Sequence, residues 1–226
     1  PPTVGLSHAL GVNPADATLY AGSHYGVFRF PADADAERVG NVQDFMGFTV
    51  AGPDHFLGSG HPGAHDGSQP ASLGLIESRD GARTWTPLSL SGEADFHALV
   101  YRHDRVYGQD SHSGEIMISN DMRSWERMSK LSAIDLAVSP HESTDILATT
   151  SQGLQRSTDD AQSFSVLPKA PSLVFVSWPD QGPLLGVDAT GTVYTSDDPA
   201  TGWQARQRLG SRPQALGERC SGRARR

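Results

Sequence analysis

Short apolar runs separated by turn residues recur along the chain in sets of three. The sets cover residues 10–12, 19–21 and 26–30; 48–50, 56–58 and 74–77; 96–101, 106–108 and 114–118; 134–138, 146–148 and 153–156; and 173–177, 184–186 and 191–195. Runs of this length between Gly, Pro, Asp and Ser are typical of β-strands, and no segment has the 3.6-residue period of an amphipathic helix. The pattern predicts an all-β protein built from many short strands.

A polar motif follows the third run in four of the five sets. Its fullest form is Ser78-Arg79-Asp80-Gly81-Ala82-Arg83-Thr84-Trp85. The shared elements are a Ser, an Asp two residues later, and an aromatic residue four or five positions after that Asp. The four Asp residues, Asp80, Asp121, Asp159 and Asp198, are 41, 38 and 39 positions apart. Because the motif recurs from unit to unit, we expect these carboxylates to cap turns rather than to form one catalytic site.

The period defines the architecture. A fourth short run follows the aromatic residue, so each unit of about 40 residues carries four strands, which is the signature of a β-propeller. We therefore predict a single propeller domain over residues 1–208, with about five blades. Residues 213–216 begin another inner strand and the chain then turns basic. We interpret residues 209–226 as an incomplete next blade or a disordered tail.

Composition narrows the possible partners. With 24 Gly and 15 Pro in 226 residues, the chain is rich in turn formers. A net charge of −8 argues against binding to nucleic acid through its phosphates. The single Cys excludes a disulfide framework and a zinc site built from cysteines. No apolar run reaches the length of a membrane span, and the first residues, Pro1-Pro2-Thr3, are not a signal peptide.

Histidine is the unusual residue, with nine copies against two Lys. His8 and His97 begin the inner strands of their units, whereas His24, His61 and His112 follow second strands. Because these two strands are antiparallel, we expect all five side chains on one face, opposite the repeated Asp motif. Asp44, Asp95 and Asp110 belong to the same layer, and His65 with Asp66 lies in the longest insertion. His55, His103 and His141 fall in turns of the other face and are expected to be surface residues.

Three interpretations of this face stay open. Imidazole with carboxylate suits a divalent transition metal such as Zn or Cu, with the ligands drawn from His8, His24, His61, His97 and His112. The same groups suit proton transfer or hydrogen bonding to a sugar without a metal. Asp110 would then bind the ligand, and Tyr25 would stack on a sugar ring. Finally, the histidines could simply bind loop backbones.

The repeated motif resembles the Asp-box, or bacterial neuraminidase repeat (BNR), of sialidases and sortilin-like propellers. More narrowly, the segments Gly47-Phe48-Thr49-Val50-Ala51-Gly52-Pro53-Asp54-His55-Phe56-Leu57-Gly58-Ser59-Gly60-His61-Pro62 and Gly92-Glu93-Ala94-Asp95-Phe96-His97-Ala98-Leu99 resemble a bacterial family of proposed glycosyl hydrolases. The resemblance implies a glycan-associated, extracytoplasmic protein. It also implies six blades as the usual number, so the chain is expected to supply about five of six.

The residues of the histidine face limit which enzymatic mechanisms this protein could use. A sialidase of this family would need three Arg on the histidine face to bind the substrate carboxylate, but the strand ends there carry none. A hydrolase acting on neutral sugars needs only two carboxylates. Asp44 and Asp95, each followed by Phe, are the candidates, although both could equally cap turns. The sequence thus leaves open a glycoside hydrolase and a non-catalytic binding or assembly propeller, with a carbohydrate or another small polar molecule as ligand.

Overall fold

The computed structural model describes residues 7–64 and 67–217. Within these ranges the chain forms twenty β-strands and no helix, arranged as five antiparallel sheets of four strands. In each sheet the strands lie side by side in the order of the sequence. The predicted all-β propeller with four-stranded blades is confirmed.

The strands are numbered along the chain, four to a blade. Blade 1 contains β1 (Ser7–Val12), β2 (Leu19–Ser23), β3 (Gly26–Phe30) and β4 (Glu37–Val39). Blade 2 contains β5 (Asp44–Gly52), β6 (His55–His61), β7 (Leu75–Ser78) and β8 (Thr86–Ser89). Blade 3 contains β9 (Phe96–Arg102), β10 (Arg105–Asp110), β11 (Glu115–Ser119) and β12 (Glu126–Lys130). Blade 4 contains β13 (Ala133–Val138), β14 (Ile146–Thr150), β15 (Gly153–Ser157) and β16 (Ser165–Val166). Blade 5 contains β17 (Leu173–Ser177), β18 (Leu184–Asp188), β19 (Thr192–Ser196) and β20 (Gln204–Arg208).

The first strand of each blade lies at the centre of the molecule. Strands β1, β5, β9, β13 and β17 contact one another in that order and together line a central cavity. Leu216 and Gly217 line the same cavity and lie beside β1, where the Ser7 amide donates to Gln214 Oε1 at 3.1 Å. Residues 209–217 form no strand. The segment predicted to begin a further inner strand therefore lies at the seam between blades 5 and 1 without pairing into a sheet.

Four apolar interfaces hold successive blades together. Every one of these interfaces contains the aromatic residue of a repeated motif together with apolar residues of inner strands. In blade 3, Phe96 stacks on Trp125 with ring centroids 4.8 Å apart, and both pack against Leu57 and Leu75 of blade 2. In blade 2, Phe45 and Trp85 form the equivalent pair, also at 4.8 Å. Apolar side chains from neighbouring sheets thus interdigitate, as expected for stacked sheets.

The repeated Ser and Asp residues cap turns, as their repetition predicts. Asp80 Oδ1 accepts the backbone amides of Arg83 and Thr84 at 3.0 and 2.9 Å, and Ser78 Oγ accepts that of Ala82 at 2.9 Å.

The same arrangement recurs in blades 3 and 4. Backbone amides of Ser124 and Arg123 lower the pKa of Asp121 to about 2. The hydroxyl and amide of Ser163 lower the pKa of Asp159 to about 2. The hydrogen bonds of these two carboxylates go to residues of their own turns.

Glycine in the second strand makes the aromatic packing possible. A Cβ at Gly108 would lie 2.5 Å from Phe96 Cδ1, and one at Gly58 would lie 2.9 Å from Phe45 Cε1. Added volume at a filled position strains the core. We therefore expect Gly108→Ala to lower the free energy of unfolding by about 1–3 kcal/mol, measured by urea denaturation. Gly202→Ala is the control, because no atom lies within 4 Å of its added Cβ. Equal stability of the two variants would contradict this account.

Candidate functional site

A β-bulge at the start of every inner strand shapes one end of the central cavity. In each first-to-second-strand pairing one residue of the inner strand is skipped, so that it has no partner in the ladder. The skipped residues, here called the mouth residues, are His8, Met46, His97, Ile134 and Val174. Bulges redirect side chains out of the pleat. His8, His97 and Ile134 accordingly line the cavity. We call this end of the molecule the mouth.

His8 and His24 form a linked pair beside Asp44. His24 Nδ1 lies 2.8 Å from Asp44 Oδ1, and its Nε2 lies 3.0 Å from His8 Nε2. A carboxylate oxygen accepts, so Nδ1 of His24 carries the proton and its Nε2 accepts from His8. The Nδ1 of His8 is then left with a lone pair. Burial lowers the pKa of His8, and the neighbouring His24 and His97 lower it further, which favours this neutral arrangement.

A second cluster surrounds Asp95, which is only 3% exposed. His97 Nε2 and Ser111 Oγ each lie 2.8 Å from Asp95 Oδ2, and His61 Nε2 lies 3.7 Å from it. Burial opposes ionisation here, but the hydrogen bonds from His97 and Ser111 lower the pKa of Asp95 below its ordinary value. An ionised Asp95 holds the proton of His97 on Nε2, so Nδ1 of His97 keeps a lone pair. The His97 side chain is 39% exposed at the mouth.

The other oxygen of Asp95, Oδ1, accepts no hydrogen bond from the described residues, although it is buried. Buried polar atoms without a partner are rare in folded proteins. Both side-chain hydrogen bonds that the Asp95 carboxylate accepts, from His97 and from Ser111, therefore go to Oδ2.

Asp110, predicted to bind a ligand, is used by its own turn. Its carboxylate accepts the amides of Asp95, His112 and Ser113 and the Ser113 hydroxyl. The residues that end the second strands of blades 1, 4 and 5 bind their turns in the same way; these are Ser23, Thr150 and Asp188. At this position the side chain stabilises the turn of its blade.

The remaining predicted residues lie around the same face. Tyr25 is 52% exposed in the turn after His24, in a position open to a ligand. His61 Nδ1 lies 2.8 Å from the carbonyl oxygen of Ala71, so this nitrogen donates. His112 Nε2 lies 3.4 Å from the Oγ of Ser72, a residue that belongs to neither cluster. His65 and Asp66 lie outside the described residues.

The five histidines therefore divide into separate groups. His8 with His24, and His97 with His61, lie beside different carboxylates, and His112 binds the insertion. In the described part of the chain no three His, Cys, Asp or Glu residues are arranged to hold a metal ion. The geometry offers at most two imidazoles at one point, the Nε2 atoms of His8 and His24.

Two histidines of the opposite face form hydrogen bonds. His55 Nε2 lies 2.8 Å from Glu77 Oε1, and burial together with the nearby Arg79 lowers the pKa of His55. His103 Nε2 lies 2.8 Å from the carbonyl oxygen of Ser139 in the next blade. The expectation of plain surface residues was wrong for His55, which is largely buried against Glu77 of its own blade, whereas His103 is exposed as expected.

Sequence reasoning did not identify Ser111 or the apolar mouth residues. Ser111 carries no motif, and its role comes from the turn that places it over Asp95. The apolar residues could have been found by alignment, because Ile134 and Val174 follow Ala133 and Leu173 as His97 follows Phe96. Among the mouth residues, only the histidines have side chains that a search for reactive groups in the sequence would select.

The cavity below the mouth has a volume of about 100 Å³. Pockets that hold small organic ligands usually measure about 300–1,000 Å³. A sugar ring therefore does not fit within the channel, and a ligand of that size would lie across the mouth, over His8, His97 and Ile134.

The hydrogen bonds fix which ring nitrogen carries the proton. At about pH 8.5, above the reference pKa of histidine, we expect His24 and His61 to be Nδ1–H tautomers, and His8 and His97 to be Nε2–H tautomers. Long-range ¹H–¹⁵N correlation spectra distinguish the two forms. The Asp44→Ala variant should release His24 alone and leave His61 unchanged. An Nε2–H form of His24 in the unaltered protein would contradict the described relay.

Comparisons with known proteins identify the fold but no family. No protein-family model matches the chain, and no curated protein sequence matches it. A gluconolactonase from Xanthomonas campestris is similar in structure with a TM-score of 0.77 and 14% identity, over 96% of this chain and 81% of that one.

Two further solved structures are more distant. An ancestral GH74 enzyme has a TM-score of 0.59 and 12% identity over 89% of this chain, which spans only 31% of the enzyme. A nidogen/laminin complex has a TM-score of 0.61 and 12% identity, over 83% of this chain and 74% of the matched one. At these identities the likeness shows the propeller fold alone, which is shared by enzymes and by a protein–protein complex. None of the described segments is a helix suited to crossing a membrane.

Proposed function

We propose that this protein binds a neutral carbohydrate derivative across the mouth of its propeller. The observation that carries the proposal is the pair of His97 and Asp95, in which a buried carboxylate fixes an exposed imidazole with its Nδ1 lone pair free at the mouth. Tyr25, half exposed beside His24, offers a ring on which a sugar can stack. The resemblance to Asp-box proteins of the glycosyl-hydrolase type supports the same ligand class and an extracytoplasmic location.

The charges at the mouth favour a neutral ligand. In the described residues that begin the inner strands or end the second strands there is no Arg or Lys, but Asp44 and Asp95 stand behind the histidines. A carboxylated sugar would meet no guanidinium to bind it. This argues against a sialidase mechanism. Hydroxyl groups, in contrast, can donate to His8 Nδ1, to His97 Nδ1 and to Ser111 Oγ, whose own proton goes to Asp95.

The same geometry supports a hydrolytic role for His97 in this proposal. A general acid at pH 7 needs a raised pKa, whereas the pKa of Asp95 is lowered. Asp95 is therefore a positioning residue in this proposal, and Asp44 stands in the same relation to His24. Water would form its bond to the anomeric carbon as the bond from that carbon to the aglycone oxygen breaks. His97 Nδ1 would take the proton of this water, Asp95 would stabilise the imidazolium, and the aglycone oxygen would take a proton from solvent at the open mouth.

The first test measures binding to glycosides. The His97→Ala variant should bind methyl glycosides about tenfold more weakly in isothermal titration, because one hydrogen bond to a desolvated hydroxyl is lost. His141→Ala is the matched control, since His141 is exposed in a turn of the opposite face. The panel contains methyl glycosides of glucose, galactose, mannose and xylose. If the unaltered protein binds none of them, the carbohydrate proposal is wrong.

A second candidate is a non-catalytic binding or assembly propeller that holds a transition metal. The 3.0 Å separation of His8 Nε2 and His24 Nε2 favours it, because two imidazoles at this distance can share one Zn²⁺ or Cu²⁺ after losing the proton between them. The described residues supply no third ligand. The similarity to a nidogen/laminin complex supports an assembly role for the fold.

Metal binding is tested on its own. In this candidate, elemental analysis finds one Zn²⁺ or Cu²⁺ per chain after dialysis, and metal at 100 times its Kd stabilises the fold by about 2.7 kcal/mol. His24→Ala should abolish both effects, whereas His141→Ala should abolish neither. Absence of bound metal together with an unchanged melting temperature on adding Zn²⁺ or Cu²⁺ would exclude it.

A further inference from the structure

We infer that the mouth has a polar half and an apolar half, and that it selects glycosides with an apolar aglycone. The inference rests on the proposed function and names the substrate class of that same site. It comes from the identity of the five mouth residues. Three of them line the cavity, namely His8 of blade 1, His97 of blade 3 and Ile134 of blade 4, whereas Met46 and Val174 are not among its lining residues.

The bulge places chemically different side chains at equivalent positions. His97 is skipped between Phe96 and Ala98, and Ile134 is skipped between Ala133 and Asp135. The two residues belong to adjacent inner strands, β9 and β13, which contact each other directly. Since both line the same cavity, an imidazole and an aliphatic side chain stand next to each other at its opening.

Ile134 is the exposed residue of its strand. Its exposed fraction is 47%, whereas Asp135 is half-buried and Ala133 and Leu136 are buried. A single exposed aliphatic residue is ordinary on a protein surface. This one, however, lies at the opening of the central cavity beside His97. A ligand lying over the mouth would cover it and gain from removing its apolar surface from water.

The polar half fixes the orientation of the ligand. Hydroxyl groups of the sugar are drawn to His8 and His97, because Asp44 and Asp95 are close behind them. The cavity of about 100 Å³ is too small to admit the rest of the molecule. The substituent on the anomeric carbon therefore extends across the mouth to Ile134. A small aryl or alkyl group fits this side chain better than a second sugar.

The test compares methyl and phenyl glycosides of the same sugars by isothermal titration. For any sugar that binds, we expect the phenyl glycoside to bind about fivefold more tightly than the methyl glycoside, since its ring covers exposed aliphatic surface. Ile134→Ser should remove this difference, so that the ratio of phenyl to methyl glycoside affinity falls from about five to about one. Folding is not at risk in this variant, because the side chain is half exposed.

Val166→Ser is the matched control. Val166 is 48% exposed, but it lies on the outermost strand β16, away from the mouth. This variant should keep the preference for phenyl glycosides. Equal affinity for phenyl and methyl glycosides in the unaltered protein would overturn the inference and leave carbohydrate binding intact. A preference that survives Ile134→Ser would also overturn it. If no glycoside binds, both the proposed function and this inference are wrong.

Discussion

Blades 2, 3 and 5 of this propeller each depend on an aromatic side chain that packs over a glycine of the blade's own second strand. A four-stranded sheet has two apolar faces and cannot bury both by itself. In blade 3 the glycine is Gly108, whose missing side chain makes room for Phe96 beside Trp125; in blade 5 it is Gly186, between Leu173 and Trp203. The Ser–Asp turns support this contact, because they hold the chain in the conformation that points the aromatic residue inward. This packing joins each blade to the next along the chain.

The same repetition creates the site by a different route. A bulge at the start of each inner strand gives the molecule five equivalent positions at the mouth of its cavity. The backbone repeats, but the side chains do not, and function can arise only where they differ. Asp95 illustrates the principle: it is buried, and it is ionised because His97 and Ser111 donate to one of its oxygens. Asp110, in contrast, accepts three backbone amides and the Ser113 hydroxyl, which hold its turn in place.

Much of this architecture was predictable because it is local and periodic. Strands, turns and the structural role of Asp80 and its equivalents follow from residue types at fixed spacing. The placement of His8 and His97 at matching positions also followed from the alignment of units, and the register confirms it. What could not be predicted was convergence. Five histidines share one face, yet the structure separates them into two clusters and an outlying residue, because each ring binds an acceptor close to it, in its own blade or in the next.

The sequence by itself determined the fold, the number of blades present and the face on which the unusual chemistry lies. These properties depend on a repeat, and a repeat can be read along the chain. The tertiary structure alone decided which oxygen each imidazole meets, that Asp95 Oδ1 is left without a partner among the described residues, and that Ile134 stands beside His97 at the opening. These contacts depend on the orientation of each side chain and on the contact between the inner strands β9 and β13, and neither can be read from spacing in the sequence.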